Sequence, residues 1–330
     1  MNRSTSHSEP SQQDLPKARP QLSQASAPLT YEVTALDERG RGSSIHIPAE
    51  RPLTVYVDKR ELVTLMTLGG APELLTLGYL RNQRLVRSIE DIVSIQVDWS
   101  VDAVAVVTRN GIADVEERTA RKVVTTGCGQ GSVFGGLMDE VDQIVLPPSA
   151  RLTQSTVYRI VETIRTQQSV YKQAGSVHGC ALFSNTGELL WFVEDVGRHN
   201  AVDAIAGLMW LEGMAGADKV FYTTGRLTSE MVIKGAQMGI PFLLSRSGTT
   251  EMGHRVAEKV GMSLLARCSG RHFLLLAGQE RLIFEPEVLD ALESQLRRPR
   301  EGGDPSSAEA AVTPAKLGSR LRGSDEIKCP

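Results

Sequence analysis

Cys128 is the side chain with the clearest chemical potential in the sequence. It lies in the octapeptide 125–132, TTGCGQGS, where three glycines leave the sulfur uncovered and permit unusual backbone angles. Arg121 and Lys122 lie just upstream, and cationic neighbours favour the thiolate, the form that attacks a persulfide or disulfide sulfur. The octapeptide therefore predicts an accessible thiol suited to sulfur transfer, with a structural cysteine in a glycine-rich turn as the alternative.

Two similar segments could bind phosphate. Residues 221–230 (FYTTGRLTSE) and 242–251 (FLLSRSGTTE) each have the pattern of a buried strand, a turn and a helix start. Hydroxyls, an arginine and free helix N–H groups suit phosphate oxygens at the carboxyl ends of parallel strands, although well-capped connections without a ligand fit equally well. The candidate side chains in these turns are Arg226, Ser229, Ser245 and Arg246.

A third cluster, residues 194–203 (EDVGRHNAVD), places ionisable side chains between an apolar strand and a helix. His199 and Asp203 are four apart and could pair on one helical face, as a general acid/base or as a structural brace. Glu194 and Asp195 could otherwise form an exposed strand end. His178 begins another strand, where a structural histidine is the expected role.

A catalytic zinc site is not expected. His178-Gly179-Cys180 loosely matches the H-x-E element of zinc deaminases, but Cys180 stands in place of the glutamate and no P-C-x-x-C follows. We therefore predict no metal ligands.

The pattern of apolar residues predicts an α/β chain in two parts with a tail at each end. Residues 1–29 and 297–330 lack apolar periodicity and are expected to be disordered. Residues 30–148 are rich in short strands, predicted at 45–47, 53–57, 92–97 and 101–107, with one helix over 72–80, and they include the Cys128 loop. Residues 149–296 alternate strands with helices, which is typical of a layered α/β domain that holds the ligand pocket. The helices are predicted at 152–172, 199–212, 228–238 and 249–261, and the strands at 178–184, 188–193, 219–224, 241–245 and 263–267.

Composition narrows the class of protein further. Thirty-six basic and 39 acidic residues give a net charge of −3, which offers no general attraction to nucleic acid. The N-terminal residues lack an apolar signal region and no later stretch is long enough for a membrane span, so we expect a cytoplasmic protein. The four cysteines form no C-x-x-C pair and are expected to be reduced thiols.

In this order, from about Tyr31 to Phe284, the motifs resemble those of the FdhD family of formate dehydrogenase accessory sulfurtransferases. The strings EDVGRHNAVD (194–203) and GRLTSEM (225–231) carry most of the resemblance, because they are long and specific. The remaining matches are Leu65-Met66, 73–80 (ELLTLGYL), 127–129 (GCG), His178, Gly239-Ile240-Pro241 and Ser245-Arg246-Ser247.

The resemblance implies a sulfur carrier. Such a protein accepts persulfide sulfur from a cysteine desulfurase and delivers it to the molybdenum of bis-molybdopterin guanine dinucleotide, before this cofactor enters the formate dehydrogenase catalytic subunit. It also implies a cytidine deaminase-like domain without zinc, and a possible homodimer. By position, Cys128 matches the persulfide-carrying cysteine. The segment that matches the cofactor-contacting turn comprises Ala266, Arg267, Cys268, Ser269, Gly270 and Arg271.

Two positions depart from the family pattern. Many members have a C-G-x-C loop, but Gly131 stands where the second cysteine would be, so only a single-cysteine mechanism is possible in this loop. The closing turn, usually Arg-Gly-Gly-Arg, is Cys268-Ser269-Gly270-Arg271 here. Two other hypotheses stay open: a chaperone that binds the molybdenum cofactor without transferring sulfur, and a deaminase-like hydrolase, which the missing metal ligands disfavour.

Overall fold

The computed structural model of the chain describes residues 19–112 and 141–287. Within these residues two mixed β-sheets alternate with helices, so the predicted mixed α/β class is confirmed. The described residues up to Glu285 belong to one compact unit. No helix in the described ranges is both long enough and apolar enough to span a membrane.

The first sheet has five strands in the order β1-β6-β7-β4-β5. The pairs β1/β6 and β4/β7 are parallel, while β6/β7 and β4/β5 are antiparallel. Its strands are β1 (Gln21–Leu22), β4 (Arg51–Val57), β5 (Arg60–Thr67), β6 (Ile92–Asp98) and β7 (Ala103–Thr108). A separate antiparallel ribbon consists of β2 (Thr30–Leu36) and β3 (Gly42–Pro48).

The second sheet has six strands in the order β10-β9-β11-β12-β13-β14, of which β11, β12 and β13 run parallel. Its strands are β9 (His178–Ser184), β10 (Leu189–Asp195), β11 (Lys219–Thr223), β12 (Phe242–Ser245), β13 (Ser263–Ser269) and β14 (His272–Ala277). Two short strands, β8 (Leu152–Thr153) and β15 (Leu282–Ile283), pair with each other.

The helices are α1 (Pro72–Asn82), α2 (Gln154–Thr166), α3 (Val170–Ala174), α4 (Arg198–Leu211), α5 (Ser229–Gln237) and α6 (Glu251–Val260). Helices α4, α5 and α6 cover one face of the six-stranded sheet, where Phe221 and Leu243 are fully buried. Helix α2 covers the other face, where Phe183 and Leu244 are buried. Because both faces are covered, the central strands are apolar throughout, which explains their continuous hydrophobic runs.

Helices α1 and α4 cross at two glycines. A Cβ atom on Gly78 would lie 1.6 Å from the carbonyl oxygen of Asp203, and one on Gly207 would lie 2.0 Å from the carbonyl oxygen of Leu74. Only glycine allows the two backbones to approach this closely. The crossing fixes the position of α4, whose first turn carries Arg198 and His199.

Part of the predicted N-terminal tail is structured, so the prediction of disorder over residues 1–29 was wrong for residues 19–29. Strand β1 pairs in parallel with β6, and Glu73 Oε1 accepts hydrogen bonds from Ser23 Oγ and Ala25 N, both at 2.6 Å. Main-chain pairing at an open sheet edge orders this polar segment, which has no apolar period to reveal it.

The predicted helix over 152–172 is two helices, because Ser169 starts a new one: its Oγ accepts the N–H of Lys172 at 3.2 Å. Strands β2, β5 and β14 were missed, as were the two-residue strands β1, β8 and β15. The domain boundary at 148–149, and the remainder of both predicted tails, stay predictions.

Candidate functional site

A cavity of about 580 Å³ opens at the carboxyl ends of the parallel strands β11, β12 and β13. This edge of an α/β sheet is the usual position for a ligand site, since the strand-end turns converge there. The volume suits one ligand of ordinary small-molecule size. The residues that line the cavity are Val161, Ile164, Arg165, Ser169, Tyr171, Lys172, Val177, His178, Gly179, Phe192, Glu194, Tyr222, Thr224, Arg246, Ser247, Cys268, Ser269 and Gly270.

Aromatic rings and cations dominate the chemistry of this cavity. Phe192 and Tyr222 supply flat apolar walls, and the ring of Phe192 lies so close to Gly179 that an added Cβ would meet it at 3.0 Å. Arg165, Lys172 and Arg246 supply positive charge. A ligand that is both aromatic and anionic would find complementary groups here.

Helix α3 forms one wall and is attached to β10 through Glu194. The carboxylate of Glu194 accepts the N–H of Val170 at 2.5 Å through Oε2 and the N–H of Tyr171 at 3.1 Å through Oε1. The guanidinium carbon of Arg246 lies 5.9 Å from the ring centroid of Tyr171, within the range of a cation–π interaction. Burial raises the pKa of Glu194, and the two main-chain hydrogen bonds oppose this rise.

Four of the residues predicted for cofactor binding do line the cavity: Arg246, Cys268, Ser269 and Gly270. Two others are buried nearby in structural positions. Ser245 is fully buried, donates a hydrogen bond to the carbonyl of Gly225 at 2.6 Å and accepts one from the N–H of Ser247 at 2.9 Å. Ala266 is buried inside β13. Ser245 therefore joins the two phosphate-type turns.

The remaining four predicted residues are absent from the part of the cavity wall that the structure describes. Arg226, Arg267 and Arg271 are exposed, and Ser229 is partly buried at the start of α5. Arg267 has a positive φ of 54° and its N–H donates to the carbonyl of Ser247 at 2.9 Å, so its main chain holds the two neighbouring strand-end turns together. Of the three arginines in the strand-end turns, Arg226, Arg246 and Arg271, only Arg246 lines the described part of the cavity.

Sequence reasoning missed the cations and the aromatic ring from the other side of the cavity. Arg165 is at the end of α2, and Tyr171 and Lys172 lie in α3. These positions precede the six-stranded sheet in sequence, so they follow none of its strands. The available signal was Ser169, a helix-capping residue that marks the start of a separate short helix at the sheet edge.

Glu194 and Asp195, the acidic pair of segment 194–203, have different roles. Asp195 is buried and accepts hydrogen bonds from Thr67 Oγ1 at 2.5 Å, Leu68 N at 3.1 Å and Gly197 N at 3.0 Å. It therefore links β5 of the first sheet to the start of α4. Glu194, by contrast, faces the cavity.

A buried ionic network connects helices α1, α4 and α5. Lys234 Nζ is 2.8 Å from Asp203 Oδ1 and 3.3 Å from Glu230 Oε1, while His199 Nε2 is 3.3 Å from Glu230 Oε2. Asn82 donates to Asp203 Oδ1 at 2.7 Å. The prediction that His199 and Asp203 pair was wrong, because α5 supplies a separate partner to each.

Two histidines near the cavity are kept neutral. Burial, followed by the charge of Lys234, lowers the pKa of His199 to about 3. Burial, followed by the charges of Arg198 and Arg226, lowers the pKa of His178, which lines the cavity. Neither imidazole adds positive charge at neutral pH.

A model of the FdhD/NarQ family matches residues 48–283, well over half of the 330 residues. The chain belongs to the FdhD/NarQ family. It is 31% identical over 242 residues to the sulfur carrier protein FdhD of Sulfurisphaera tokodaii, covering 72% of this chain and 91% of that protein. It is 29% identical over 239 residues to the sulfur carrier protein FdhD of Listeria monocytogenes, with the same coverage.

A solved structure agrees with this assignment to FdhD/NarQ. The crystal structure of a protein assigned as a formate dehydrogenase accessory protein, from Desulfotalea psychrophila, is similar with a TM-score of 0.62 and 26% identity. The match covers 78% of this chain and all of that one. The resemblance inferred from the motifs is therefore confirmed.

Cys128, the predicted sulfur-bearing residue, falls within the range matched by the FdhD/NarQ model but outside the residues that the structure describes. Cys180 and Cys268 are buried free thiols, and burial raises the pKa of each to about 12. A thiol with so high a pKa is a poor nucleophile at neutral pH. The two cysteines of the described fold are thus unsuited to carrying sulfur.

Proposed function

We propose that the chain is a sulfur carrier required for formate dehydrogenase activity, with Cys128 as the sulfur-bearing residue. The observation that carries the proposal is the match to curated sulfur carrier proteins over 91% of their length. The similarity to a protein assigned as a formate dehydrogenase accessory protein supports the identity of the recipient. A cysteine desulfurase is the proposed donor, and the cytoplasm is the proposed compartment.

The proposed first step is a thiol exchange. The thiolate of Cys128 attacks the outer sulfur of the desulfurase persulfide, so that a new S–S bond forms and the desulfurase thiolate leaves. One bond replaces another of the same kind, so no external oxidant or reductant is consumed. Arg121 and Lys122, seven and six residues before Cys128 in the sequence, favour the thiolate form.

The proposed acceptor is the molybdenum of bis-molybdopterin guanine dinucleotide, bound as cargo before its insertion into formate dehydrogenase. The cavity at the ends of β11, β12 and β13 supports this, because its cations suit phosphate and its aromatic walls suit a nucleotide base. Arg246 is the best-placed phosphate ligand, and Cys268, Ser269 and Gly270 of the closing turn form part of the same wall. Arg226 and Arg271 would contact cargo that extends beyond the cavity.

We also propose a cytidine deaminase-like arrangement for the layered α/β part of the chain. The six-stranded sheet, with helices on both faces, supports a cytidine deaminase-like arrangement in which no zinc takes part. The first turns of α4 and α5 carry His199 and Glu230, with His199 Nε2 3.3 Å from Glu230 Oε2. A homodimer is proposed as the assembly.

Intact-protein mass spectrometry tests the sulfur-carrier function. After incubation with a cysteine desulfurase and cysteine, the wild type should gain about one sulfur mass, which a reductant removes. Cys128→Ser should gain nothing, while Cys329→Ser, outside the range matched by the family model, should behave as wild type. An equal gain in Cys128→Ser would refute the role of this residue. Full activation of formate dehydrogenase by Cys128→Ser would instead favour a chaperone that binds the cofactor without transferring sulfur.

A further inference from the structure

The N-terminal segment 19–29 lies against the fold in the way that a bound peptide would. It precedes residues 48–283, the range that the FdhD/NarQ model matches. Its strand β1 pairs in parallel with two residues of β6 and is the outermost strand of the five-stranded sheet. Ser23 N donates to the carbonyl of Ile95 at 3.1 Å, and Val97 N donates to Ser23 Oγ at 2.9 Å. Main-chain pairing depends little on sequence, so another extended chain could make it.

Glu73 provides a second anchor that another extended chain could use. Its Oε1 accepts hydrogen bonds from Ser23 Oγ and from Ala25 N, both at 2.6 Å, and the second of these needs only a main chain. Glu73 is buried, so the carboxylate must keep such donors to offset its loss of water. The start of the segment is held less firmly, because the ion pair between Arg19 and Glu212, at 3.0 Å, is solvent-accessible.

A second cavity, of about 340 Å³, lies between this segment and the helices α1 and α4. The large apolar side chains that line it from the body of the fold are Leu74 of α1, Trp191 of β10, and Leu208 and Leu211 of α4. The segment contributes Ala25 and Ser26 to the lining, and these side chains are much too small to occupy a cavity of this volume. Because burial of apolar surface drives most association, the segment uses only part of the affinity that this groove offers.

The backbone of the segment is also strained at the same place. Gln24 has a positive φ of 55°, in the left-handed region that glycine adopts readily and other L-residues avoid. It lies between Ser23 and Ala25, the two residues that bind Glu73. Strain and small side chains both lower the affinity of the segment for its groove, which makes the segment replaceable.

We propose that the groove between β6, α1 and α4 is a docking site for an extended segment of a partner protein, which displaces residues 19–29. The fitting segment pairs with β6, donates a main-chain N–H to Glu73 and inserts a large apolar side chain where Ala25 or Ser26 lies. Residues 19–29 are then a resident competitor that covers the apolar groove until the partner binds. No described residue of this groove lines the larger cavity, so the docking site is separate from the proposed cargo site.

Fluorescent peptides that copy residues 19–30 test the docking site, with the full chain as the receptor. Fluorescence anisotropy compares the affinity of three peptides: the unchanged copy, the Ala25→Leu copy and the Ser26→Leu copy. At least one substituted copy should bind more tightly than the unchanged copy by about fivefold to fiftyfold, because its added apolar surface leaves water on binding. This comparison uses the wild-type chain and so cannot be confused with a folding defect.

The same substitution in the chain itself should act in the opposite direction. Ala25→Leu or Ser26→Leu in the chain, at whichever position tightens the peptide, improves the fit of the resident segment. It should therefore weaken peptide binding by a similar factor, about fivefold to fiftyfold, because the groove is accessible for a smaller fraction of the time.

A serine variant with a matched control loosens the resident segment instead. Ser23→Ala in the chain removes the hydroxyl contact to Glu73 without changing the groove, so it should tighten peptide binding by about tenfold. Ser100→Ala is the control: Ser100 Oγ donates to a carboxylate oxygen of Asp98, also at 2.6 Å, outside the described lining of the groove. It should leave the peptide affinity unchanged.

Three results would overturn the docking site. The first is that neither substituted peptide binds the wild-type chain. The second is equal affinity for all three peptides, which would favour exchange of residues 19–29 between two copies of the chain over a partner with a larger side chain. The third is a tight peptide whose affinity is the same for the wild-type chain and the matching chain variant, because such a peptide would bind elsewhere on the surface.

Discussion

Replacing Gly78 by alanine should strongly destabilise the fold, because the new methyl group has no space at the crossing of α1 and α4. The added Cβ would lie 1.6 Å from the carbonyl oxygen of Asp203 and 2.4 Å from its carbonyl carbon. These are main-chain atoms that cannot rotate away, so the helices must separate. Overpacking costs about 1–3 kcal/mol where side chains can adjust, so we expect about 3 kcal/mol or more here. Alanine has a higher helix propensity than glycine, which offsets about 1 kcal/mol of this cost. The free energy of unfolding should therefore fall by about 2 kcal/mol or more.

Urea unfolding measures this loss, and Gly235→Ala is the matched control. Gly235 also lies inside a helix, but the nearest atom to its added Cβ would be the terminal methyl of Met262, at 3.3 Å, and the next neighbours would lie at 3.9 Å. That methyl ends a flexible side chain, so Gly235→Ala should be neutral or stabilising by up to about 1 kcal/mol. Equal stability of Gly78→Ala and wild type, with an unchanged urea dependence, would refute the argument from the helix crossing.

Two further predictions concern the buried network. Unfolded His199 regains an ordinary pKa near 6.5 from a folded value of about 3, so the unfolded state binds more protons between these limits and stability rises with pH there. Urea unfolding should show that the free energy of unfolding falls by about 2 kcal/mol between pH 6.5 and about pH 5. His199→Gln should reduce the pH dependence of this free energy by about one proton. An unchanged pH dependence in this variant would contradict the assignment. Lys234→Met should lose about 3–5 kcal/mol in the same assay, because Asp203 and Glu230 keep their negative charges without this cation. Asp203→Asn should recover part of that loss in the double variant, and a fully stable Lys234→Met would show that the ion pairs contribute little.

The layered α/β half was predictable because its strands are apolar throughout. Strands β11 and β12 lie in the sheet interior, so neither face needs polar residues and the runs at 219–224 and 241–245 stand out from their surroundings. Strands β2 and β5 were missed for the opposite reason: the exposed ribbon and the sheet edge carry mixed polar and apolar residues. Strand β1 is ordered mainly by main-chain pairing and by Glu73, which leave no apolar period in the sequence.

The position of the candidate site was predictable from the sequence, but the set of side chains that line it was not. Strand-end turns must gather at the carboxyl edge of a parallel sheet, so the turns with Arg246 and Cys268 were correctly assigned to one place. Whether a side chain in such a turn points into the cavity depends on backbone angles, which residue types and their spacing in the sequence do not reveal. Arg267 illustrates this, since its positive φ accompanies an exposed side chain beside the buried Cys268. Tyr171 and Lys172 reach the cavity from outside the sheet, where no strand-end rule applies.

The unusual closing turn bears on the sulfur chemistry. Cys268 stands where the family resemblance predicts an arginine, and it places a thiol in the wall of the cavity proposed to hold the cargo. Burial raises the pKa of this thiol to about 12, and its Sγ lies 3.5 Å from the carbonyl oxygen of Leu265, to which it donates. A neutral, buried thiol attacks a persulfide slowly, so Cys268 should not compete with Cys128 for sulfur. Because the thiol is neutral, Arg246, Lys172 and Arg165 are the cations of the described wall, and we expect phosphate binding to depend on them.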